Sequence, residues 1–139
     1  MITVLAGGTG SIKIIRGFAS GPGDEEIRIV SNVGDNIWLH GLYICPDIDI
    51  VMYGLAGILS ERGWGIKGDT FSCLAQMERI GEEVWFKLGD KDIATHLLRT
   101  SLRKKGKTLT EITDWIAKKY LVSQKIYPAT DDRLETIII

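Results

Sequence analysis

The chain has 139 residues, of which 45% are hydrophobic and 25% are charged, and its formal net charge is −1. This length fits one domain with its own core. The near-neutral charge disfavours nucleic-acid binding through a broad basic face, and a run of roughly 18 apolar residues, as a membrane-spanning helix needs, is absent.

The two cysteines, Cys45 and Cys73, are far apart and form no CxxC pair. This spacing indicates neither a zinc site nor a disulfide framework, and we expect buried, reduced thiols in a cytoplasmic protein. The N-terminus lacks the basic region of a signal peptide. The densest basic run, residues 103–105 with Lys107, falls at a predicted helix end, where cations complement the helix dipole.

The first predicted elements alternate between strand and helix. Ile2–Ala6 is a short apolar run typical of a buried parallel strand, and a mostly apolar helix follows the adjacent glycines and ends before the turn Gly21-Pro-Gly23. Ile27–Val30 is predicted to be a second strand. The polar loop 32–36 then lies at its carboxyl end.

Helices dominate the rest of the prediction. Asp49 is expected to cap a helix from Ile50 to about Ser60, and Asp69 to cap a helix over 70–80 that Gly81 ends. A further helix opens at Asp90 or Asp92 and closes at Gly106. Its apolar residues predict a buried stripe formed by Ile93, Leu97, Leu98 and Leu102.

The C-terminal part begins with a capping box, in which Thr108 and Glu111 start a helix that runs through Lys119. A strand over 125–129, a turn over 130–132 and a strand over 135–139 complete the chain. Strands that alternate with helices predict a single α/β domain, residues 1–139, with a mostly parallel, Rossmann-like sheet in three α/β/α layers. The last strand has no predicted neighbour, so we expect the amino-terminal part of a longer domain.

The glycine turn after the first strand could cradle a phosphate, because glycine lets backbone amides approach an anion at a helix N-terminus. The residues of this turn are Gly7, Gly8, Thr9 and Gly10, and Lys13 could add a cation one turn later. A tight strand-to-helix turn would need similar glycines. The third glycine of the dinucleotide fingerprint is replaced by Lys13, and GxxxxGK[ST] is absent, which disfavours an NAD or P-loop site.

Three carboxylates, Asp35, Asp47 and Asp49, follow the second strand in turn-rich segments. Magnesium favours one or two carboxylates together with substrate phosphates, so the group predicts a magnesium site. The alternative is that Asp35 stabilises a turn and Asp49 caps a helix. Carboxyl ends of parallel strands meet at one sheet edge, so the glycine turn and these aspartates are expected to lie close together.

A second polar cluster surrounds the start of the helix at Asp90. Asp90, Lys91, Asp92 and His96 follow Lys87, and helix capping explains only one of the aspartates. Trp64 lies between two glycines, where it could cover a flat ring or fill the core.

Six motifs, in chain order, resemble the 2-phospho-L-lactate transferase family (CofD-like). They are GGTGSIK, NVGDNxWxHGLYICPDID, RGWGIKGDTF, WFKLGDKDIATH, GKTLTEIT and PATDDRLET. The resemblance implies transfer of 2-phospholactate from lactyl-2-diphospho-5'-guanosine, or a related nucleotide donor, to the deazaflavin 7,8-didemethyl-8-hydroxy-5-deazariboflavin. GMP is released, and the product is a precursor of coenzyme F-420.

The resemblance also implies roles for individual residues. Asp35 and Asp49 would hold Mg²⁺ and, with Asp90 and His96, serve catalysis. The implied substrate-binding residues are Gly7, Gly8, Thr9, Gly10, Lys13, Asn32, Asp49, Lys87, Lys91 and Asp92. Lys91 stands where an arginine is common, which removes bidentate phosphate geometry.

Other classes of function stay open. Family members are about twice as long, so the chain matches the amino-terminal half of the family. A non-catalytic, nucleotide-sugar-binding regulator of the same superfamily and an inactive truncated fragment are the alternatives to an enzyme. The resemblance admits a homodimer.

Overall fold

The computed structural model describes residues 1–21 and 26–139. The elements in chain order are β1 (Ile2–Ala6), α1 (Gly8–Ala19), β2 (Ile27–Ser31), β3 (Ile37–Leu39), β4 (Leu42–Ile44), α2 (Pro46–Leu55), α3 (Ser72–Arg79), α4 (Asp90–Lys104), α5 (Leu109–Lys119) and β5 (Lys125–Pro128). The predicted α/β class is confirmed. Within these residues, no helix combines the length and the hydrophobicity that crossing a membrane requires.

The larger sheet has the strand order β1-β2-β5, and both pairs of neighbours are parallel. Ala6 lies opposite Ser31, and Ser31 lies opposite Pro128, so the carboxyl ends of all three strands meet at one edge. The glycine turn and the 32–36 loop both leave the sheet there. An open parallel sheet of this kind is a partial Rossmann-like fold.

The two faces of this sheet differ in burial. The row Val4–Ile29–Ile126 belongs to a core that also contains apolar side chains from α1, α2 and α5. On the other face, Leu5 is 79% exposed and Tyr127 is 37% exposed. Among the residues described, the helices therefore cover one face of the sheet.

Helix α2 starts earlier than predicted. Pro46 occupies its first turn, where the fixed φ of proline favours a helix start, and Cys45 is the N-cap. Asp49 lies inside the first turn, so the prediction that it caps a helix over 50–60 is wrong. The helix ends at Leu55, and Gly57 follows with a φ of +73°.

Helix α3 is shorter than predicted. It covers Ser72–Arg79, and Phe71, rather than Asp69, is its N-cap, because the Asp69 carboxylate is engaged elsewhere. The predicted stop at Gly81 is confirmed by its φ of +97°, a conformation that glycine adopts without strain.

A small hairpin, β3–β4, was not predicted. Its two strands pair antiparallel around His40 and Gly41, whose φ angles are +51° and +75°. Two positive φ values in succession are typical of the two-residue turns that match strand twist. The hairpin brings the chain from the 32–36 loop to α2.

Helices α4 and α5 have the predicted limits. Helix α4 begins at Asp90, its basic C-terminus includes Lys104, and Gly106 follows with a φ of +85°. The capping box of α5 is formed by Thr108 and Glu111. The predicted apolar stripe of α4 is wrong at Leu97 and Leu98, which are 55% and 36% exposed, whereas Ile93 and Leu102 are partly buried against the core.

The predicted strand over 135–139 does not form. The segment is exposed, and the Thr136 hydroxyl donates a hydrogen bond of 2.5 Å to the carbonyl of Gly34. The segment therefore contacts the 32–36 loop instead of pairing with the sheet. The predicted turn after α1 includes residues 22 and 23, which lie outside the described residues.

Candidate active site

A cavity of about 420 Å³ opens beside the carboxyl edge of the sheet. Its walls are largely apolar and include four aromatic side chains, whereas acidic and imidazole groups lie at one end. The lining residues are Thr9, Ile44, Pro46, Asp49, Ile50, Tyr53, Trp64, Gly65, Trp85, Phe86, Lys87, Asp92 and His96. Apolar walls with a few convergent polar groups are typical of small-molecule sites.

The polar end of the cavity is built by α2 and α4. Asp49, Asp92 and His96 each offer one ligand atom within 4.8 Å of the others, so the group could hold a metal ion. His96 Nδ1 lies 3.6 Å from Asp49 Oδ2, and its Nε2 lies 3.3 Å from Asp92 Oδ1. All three side chains are buried.

Arg99 contacts two members of this group, Asp49 and His96. It is only 1% exposed, its guanidinium forms a short ion pair with Asp49, and it also contacts His96 Nδ1 at 3.1 Å. Because arginine can only donate, Nδ1 accepts, and a neutral His96 carries its proton on Nε2. Nε2, 3.3 Å from Asp92 Oδ1, belongs to a cavity-lining side chain.

The pKa values of these groups follow from burial and mutual contact. Complete burial raises the pKa of Asp49, against the opposing effects of Arg99 and His96. Burial also acts to raise the pKa of Asp92, but hydrogen bonds from His96 and Tyr53 outweigh it and leave the pKa below 3.8. The Tyr53 hydroxyl donates to Asp92 Oδ1 at 2.7 Å. Asp92 is therefore a carboxylate near neutral pH.

A second polar group lies at the rim, next to the cavity. The backbone N–H of Gly8 donates to Asp47 Oδ1 at 3.0 Å. The side-chain amide of Asn32 donates to Asp47 Oδ2 at 2.8 Å and to Asp35 Oδ2 at 3.2 Å. The glycine turn and the aspartate loops thus adjoin at one sheet edge. The Gly8 N–H, which was predicted to face a phosphate, donates to the Asp47 carboxylate instead.

The residues fit Mg²⁺ at two points. The carboxylates of Asp35 and Asp47 both accept hydrogen bonds from the side-chain amide of Asn32. Neither carboxylate takes part in an ion pair among the described residues. In the buried group, Asp49 Oδ2 has no hydrogen-bond partner. Carboxylate oxygens of this kind suit a hard cation. Asp35 is not part of the group formed by Asp49, Asp92 and His96.

The other predicted site residues divide into those near the cavity and those turned away. Thr9 and Lys87 line it. The Asp90 carboxylate instead accepts hydrogen bonds from the Thr70 hydroxyl and from the backbone at the start of α3, which hold its pKa below 3.8. Lys13 and Lys91 are exposed and do not belong to the cavity lining.

Sequence reasoning singled out neither Arg99 nor Tyr53 as a site residue. A usable signal was present, because positions 92, 96 and 99 are spaced by four and three and lie on one face of a helix. The hairpin that leads into α2 gave no comparable signal. Its Tyr43 carbonyl accepts from Arg99 at 3.3 Å, a contact across 56 positions of sequence.

The cysteines match the expectation of free thiols, but only Cys45 is buried, whereas Cys73 is exposed. Burial raises the pKa of Cys45 from 9.0 to about 12. A thiol with this pKa is neutral at physiological pH, so Cys45 is a poor nucleophile.

Comparison with known proteins gives a consistent result. The family model described as "2-phospho-L-lactate transferase CofD" matches residues 2–139. A 2-phospho-L-lactate transferase of Methanocorpusculum labreanum is 44% identical over 100% of this chain and 46% of its own length. A phosphoenolpyruvate transferase of Nocardia farcinica is 41% identical over 99% of this chain and 42% of its length.

A phosphoenolpyruvate transferase of Mycolicibacterium smegmatis is 38% identical, again over 99% of this chain and 46% of its own length. The chain thus spans less than half the length of the curated relatives it matches. Its motifs, its fold and the match over residues 2–139 agree, and the chain belongs to the 2-phospho-L-lactate transferase (CofD) family.

Proposed function

We propose that this chain forms the part of a phospholactate transferase that binds the deazaflavin acceptor and the diphosphate of the donor. The observation that carries the proposal is the aromatic cavity of about 420 Å³, whose polar end adjoins the rim formed by Gly8, Asp47 and Asp35. A flat, mostly apolar ring and an anionic diphosphate need such neighbouring environments.

The proposed reaction transfers 2-phospholactate from lactyl-2-diphospho-5'-guanosine, or a related nucleotide donor, to 7,8-didemethyl-8-hydroxy-5-deazariboflavin in coenzyme F-420 biosynthesis. The primary hydroxyl of the acceptor forms a bond to the β-phosphorus, and the bond to GMP breaks. The proton released by the hydroxyl balances the charge of the departing GMP. Phosphoryl transfer depends mainly on positioning and charge stabilisation.

The donor's acyl group is the least defined part of this proposal. The relatives' names include both 2-phospho-L-lactate transferase and phosphoenolpyruvate transferase, and both cover this chain almost completely. Phospholactate is the first choice because the relative with 44% identity has that name. Assaying both donors in parallel would decide between them.

Each group has a proposed task. Trp64, Trp85 and Phe86 surround the deazaflavin ring, and Lys87 attracts the anionic diphosphate of the donor. His96, whose Nε2 lies 3.3 Å from Asp92 Oδ1, orients this carboxylate at the polar end of the cavity. Thr9 and Asn32 contact the donor near the Gly7–Gly10 turn. Lys13, Lys91 and Asp90 stay predicted site residues.

Asp35 and Asp49 are the proposed ligands of Mg²⁺; among the described residues Asp35 has no cationic partner and Asp49 Oδ2 has no hydrogen-bond partner. When bound, magnesium would neutralise and orient the diphosphate. Asp47 lies two residues before Asp49 and shares Asn32 with Asp35. The cytoplasmic location and a homodimer stay predictions.

Titration of the chain with the deazaflavin, followed by its fluorescence, tests the acceptor site directly. We expect a saturable change that the variant Trp85→Ala weakens. Trp115→Ala is the matched control, because Trp115 lies on α5 and does not line the cavity. An unchanged signal at saturating protein would contradict the proposal.

Transfer itself is tested by following GMP release with donor, deazaflavin and Mg²⁺. Asp35→Asn and Asp49→Asn should each abolish turnover. Asp114→Asn is the control and should not, because Asp114 lies on α5, away from the cavity, and contacts Lys125 at the surface. Deazaflavin binding without transfer by the unchanged chain would favour the alternatives of a binding protein or an inactive fragment. Wild-type turnover in either aspartate variant would remove that residue from the proposed metal site.

A further inference from the structure

The N-termini of α3 and α4 cap each other through two aspartates. Asp69, which precedes α3, accepts hydrogen bonds from the backbone of α4: Lys91 N at 2.9 Å and Asp92 N at 3.0 Å. Side-chain oxygens at a helix N-terminus satisfy N–H groups that have no partner within the helix. The aspartate in front of one helix therefore caps the next one.

Asp90, the first residue of α4, returns the contact. Its carboxylate accepts from Ser72 N at 3.0 Å, from Cys73 N at 2.9 Å and from the Thr70 hydroxyl at 2.6 Å. The backbone N–H of Asp90 also donates to the Thr70 carbonyl at 2.7 Å. We call this reciprocal arrangement of Asp69 and Asp90 the capping interlock.

Gly89 shows how closely the two segments approach. A Cβ atom placed on Gly89 would collide with the carboxylate of Asp69. The φ of Gly89 is −75°, which any residue can adopt, so the need for glycine comes from space rather than from backbone conformation. The interlock is thus a tightly packed joint between two chain segments.

The joint connects two chain segments that form aromatic walls of the cavity. Trp64 belongs to the segment before Asp69 and contacts the ring of Phe71, with 6.5 Å between the ring centroids. Trp85 and Phe86 belong to the segment before Asp90 and pack edge to face at 5.5 Å. Asp69 also holds the backbone of Asp92, whose side chain lies at the polar end.

Apolar packing offers α3 little alternative support. The helix has eight residues, and Leu74 is the buried one among them. A helix this short is unstable without tertiary contacts. The position of α3 therefore depends strongly on its hydrogen bonds to Asp90. The position of the preceding loop, which contains Trp64, depends on them as well.

We propose that Asp69 and Asp90 are positioning residues, whose capping interlock sets the separation of the aromatic walls that receive the acceptor ring. This inference rests on the proposed function for the identity of the ligand. It moves Asp90 from the predicted catalytic role to one exerted through α3. Asp69 gains a role in binding that the sequence did not indicate.

The first test compares the affinity of the deazaflavin for Asp69→Ala and Asp90→Ala with that of the unchanged chain. Each variant should bind about tenfold more weakly, within the loss of up to about 100-fold that a misplacement of about 1 Å can cause. Asp90→Asn retains one acceptor oxygen and should restore part of the affinity. Thr108→Ala removes a helix cap on α5, away from the cavity, and should lower the melting temperature without changing affinity.

The second test needs no ligand. Amide hydrogen exchange should become faster in both walls, residues 63–66 and 84–87, when Asp69 alone is replaced by alanine. If the wild-type chain does not bind the deazaflavin but both walls respond together, the proposed function fails and the interlock stands. Faster exchange confined to the capped amides of α4, or affinities within about twofold of wild type in both alanine variants, would overturn the inference.

Discussion

Helices α4 and α5 follow one another in the chain and bury opposite kinds of surface. The buried residues of α5 are Leu109, Ile112, Thr113, Ile116 and Ala117. Those of α4 are Asp92, Thr95, His96, Arg99 and Thr100. The predicted apolar stripe of α4 included the exposed Leu97 and Leu98 and missed these buried polar residues.

The polar face of α4 is stable because its groups have partners. Arg99 pairs with Asp49, and the Thr100 hydroxyl donates to the His96 carbonyl and accepts from Tyr43 N. Burial of a polar group costs free energy unless hydrogen bonds replace those to water. The helix that violates the hydrophobic rule is the one that borders the cavity, as expected where function constrains the sequence.

The largest expected effect comes from breaking the buried ion pair on α4. Arg99→Met would leave Asp49 buried without its cation and should reduce the free energy of unfolding by about 3–5 kcal/mol. Denaturant unfolding measures the loss. Arg103→Met is the matched control, because Arg103 is half-buried and lies over the Tyr43 ring at 4.5 Å. An equal decrease in the free energy of unfolding in both variants would show that the buried ion pair adds no more stability than the contact of the half-buried Arg103 with Tyr43.

The next effect concerns the hydrogen bond between α2 and α4. Tyr53→Phe removes the hydroxyl that donates to Asp92 at 2.7 Å, and should cost about 1.5–3 kcal/mol, the range for bonds to charged groups. Tyr127→Phe on the more exposed β5 provides the control. A cost for Tyr53→Phe below about 0.5 kcal/mol would mean that water replaces this contact.

A smaller effect is expected at the cap of α5. Thr108→Ala should lower the free energy of unfolding by about 1 kcal/mol.

Thr108 N donates to Glu111, and this bond, aided by Lys107, holds the pKa of Glu111 below 4.5. A lowered pKa in the folded state gives stability that is present above pH 4.5 and is lost as the pH falls below it. Melting temperatures measured down an acid series should fall less steeply for Glu111→Gln.

The smallest effect tests the outward face of α4. Leu97→Gln should change the free energy of unfolding by no more than about 0.5 kcal/mol, because Leu97 is 55% exposed. Ile112→Gln on α5, at a position only 1% exposed, should be strongly destabilising by the same measurement. A large, concentration-dependent loss for Leu97→Gln would instead show that copies of the chain bury this face.

Much of the framework was predictable because its signals are local. The strands β1, β2 and β5 are apolar runs bounded by glycine or polar residues, and the capping box of α5 lies within four consecutive positions. The predicted strand over 135–139 had the same local character. It failed because no neighbouring strand pairs with it in the described residues, and Thr136 contacts Gly34 instead.

The sequence predicted which loops lie close together at the candidate site, but not which of their residues contact one another. Strand order places the glycine turn and the aspartate loops at one edge, so their proximity followed from the parallel sheet. The link between them, through Asp47 and Asn32, did not follow from any motif. Nor did the engagement of Asp90 with α3, which took a predicted site residue out of the cavity.

The sequence was enough to predict the three parallel strands, the helix ends marked by glycine, and the family resemblance. The buried face of α4, the partners of each aspartate and the reciprocal capping by Asp69 and Asp90 became visible only in the folded chain. The reason is physical: local elements depend on neighbours within a few residues. The Asp49–Arg99 pair and the capping interlock depend on contacts across 50 and about 20 positions, which exist only once the chain has folded.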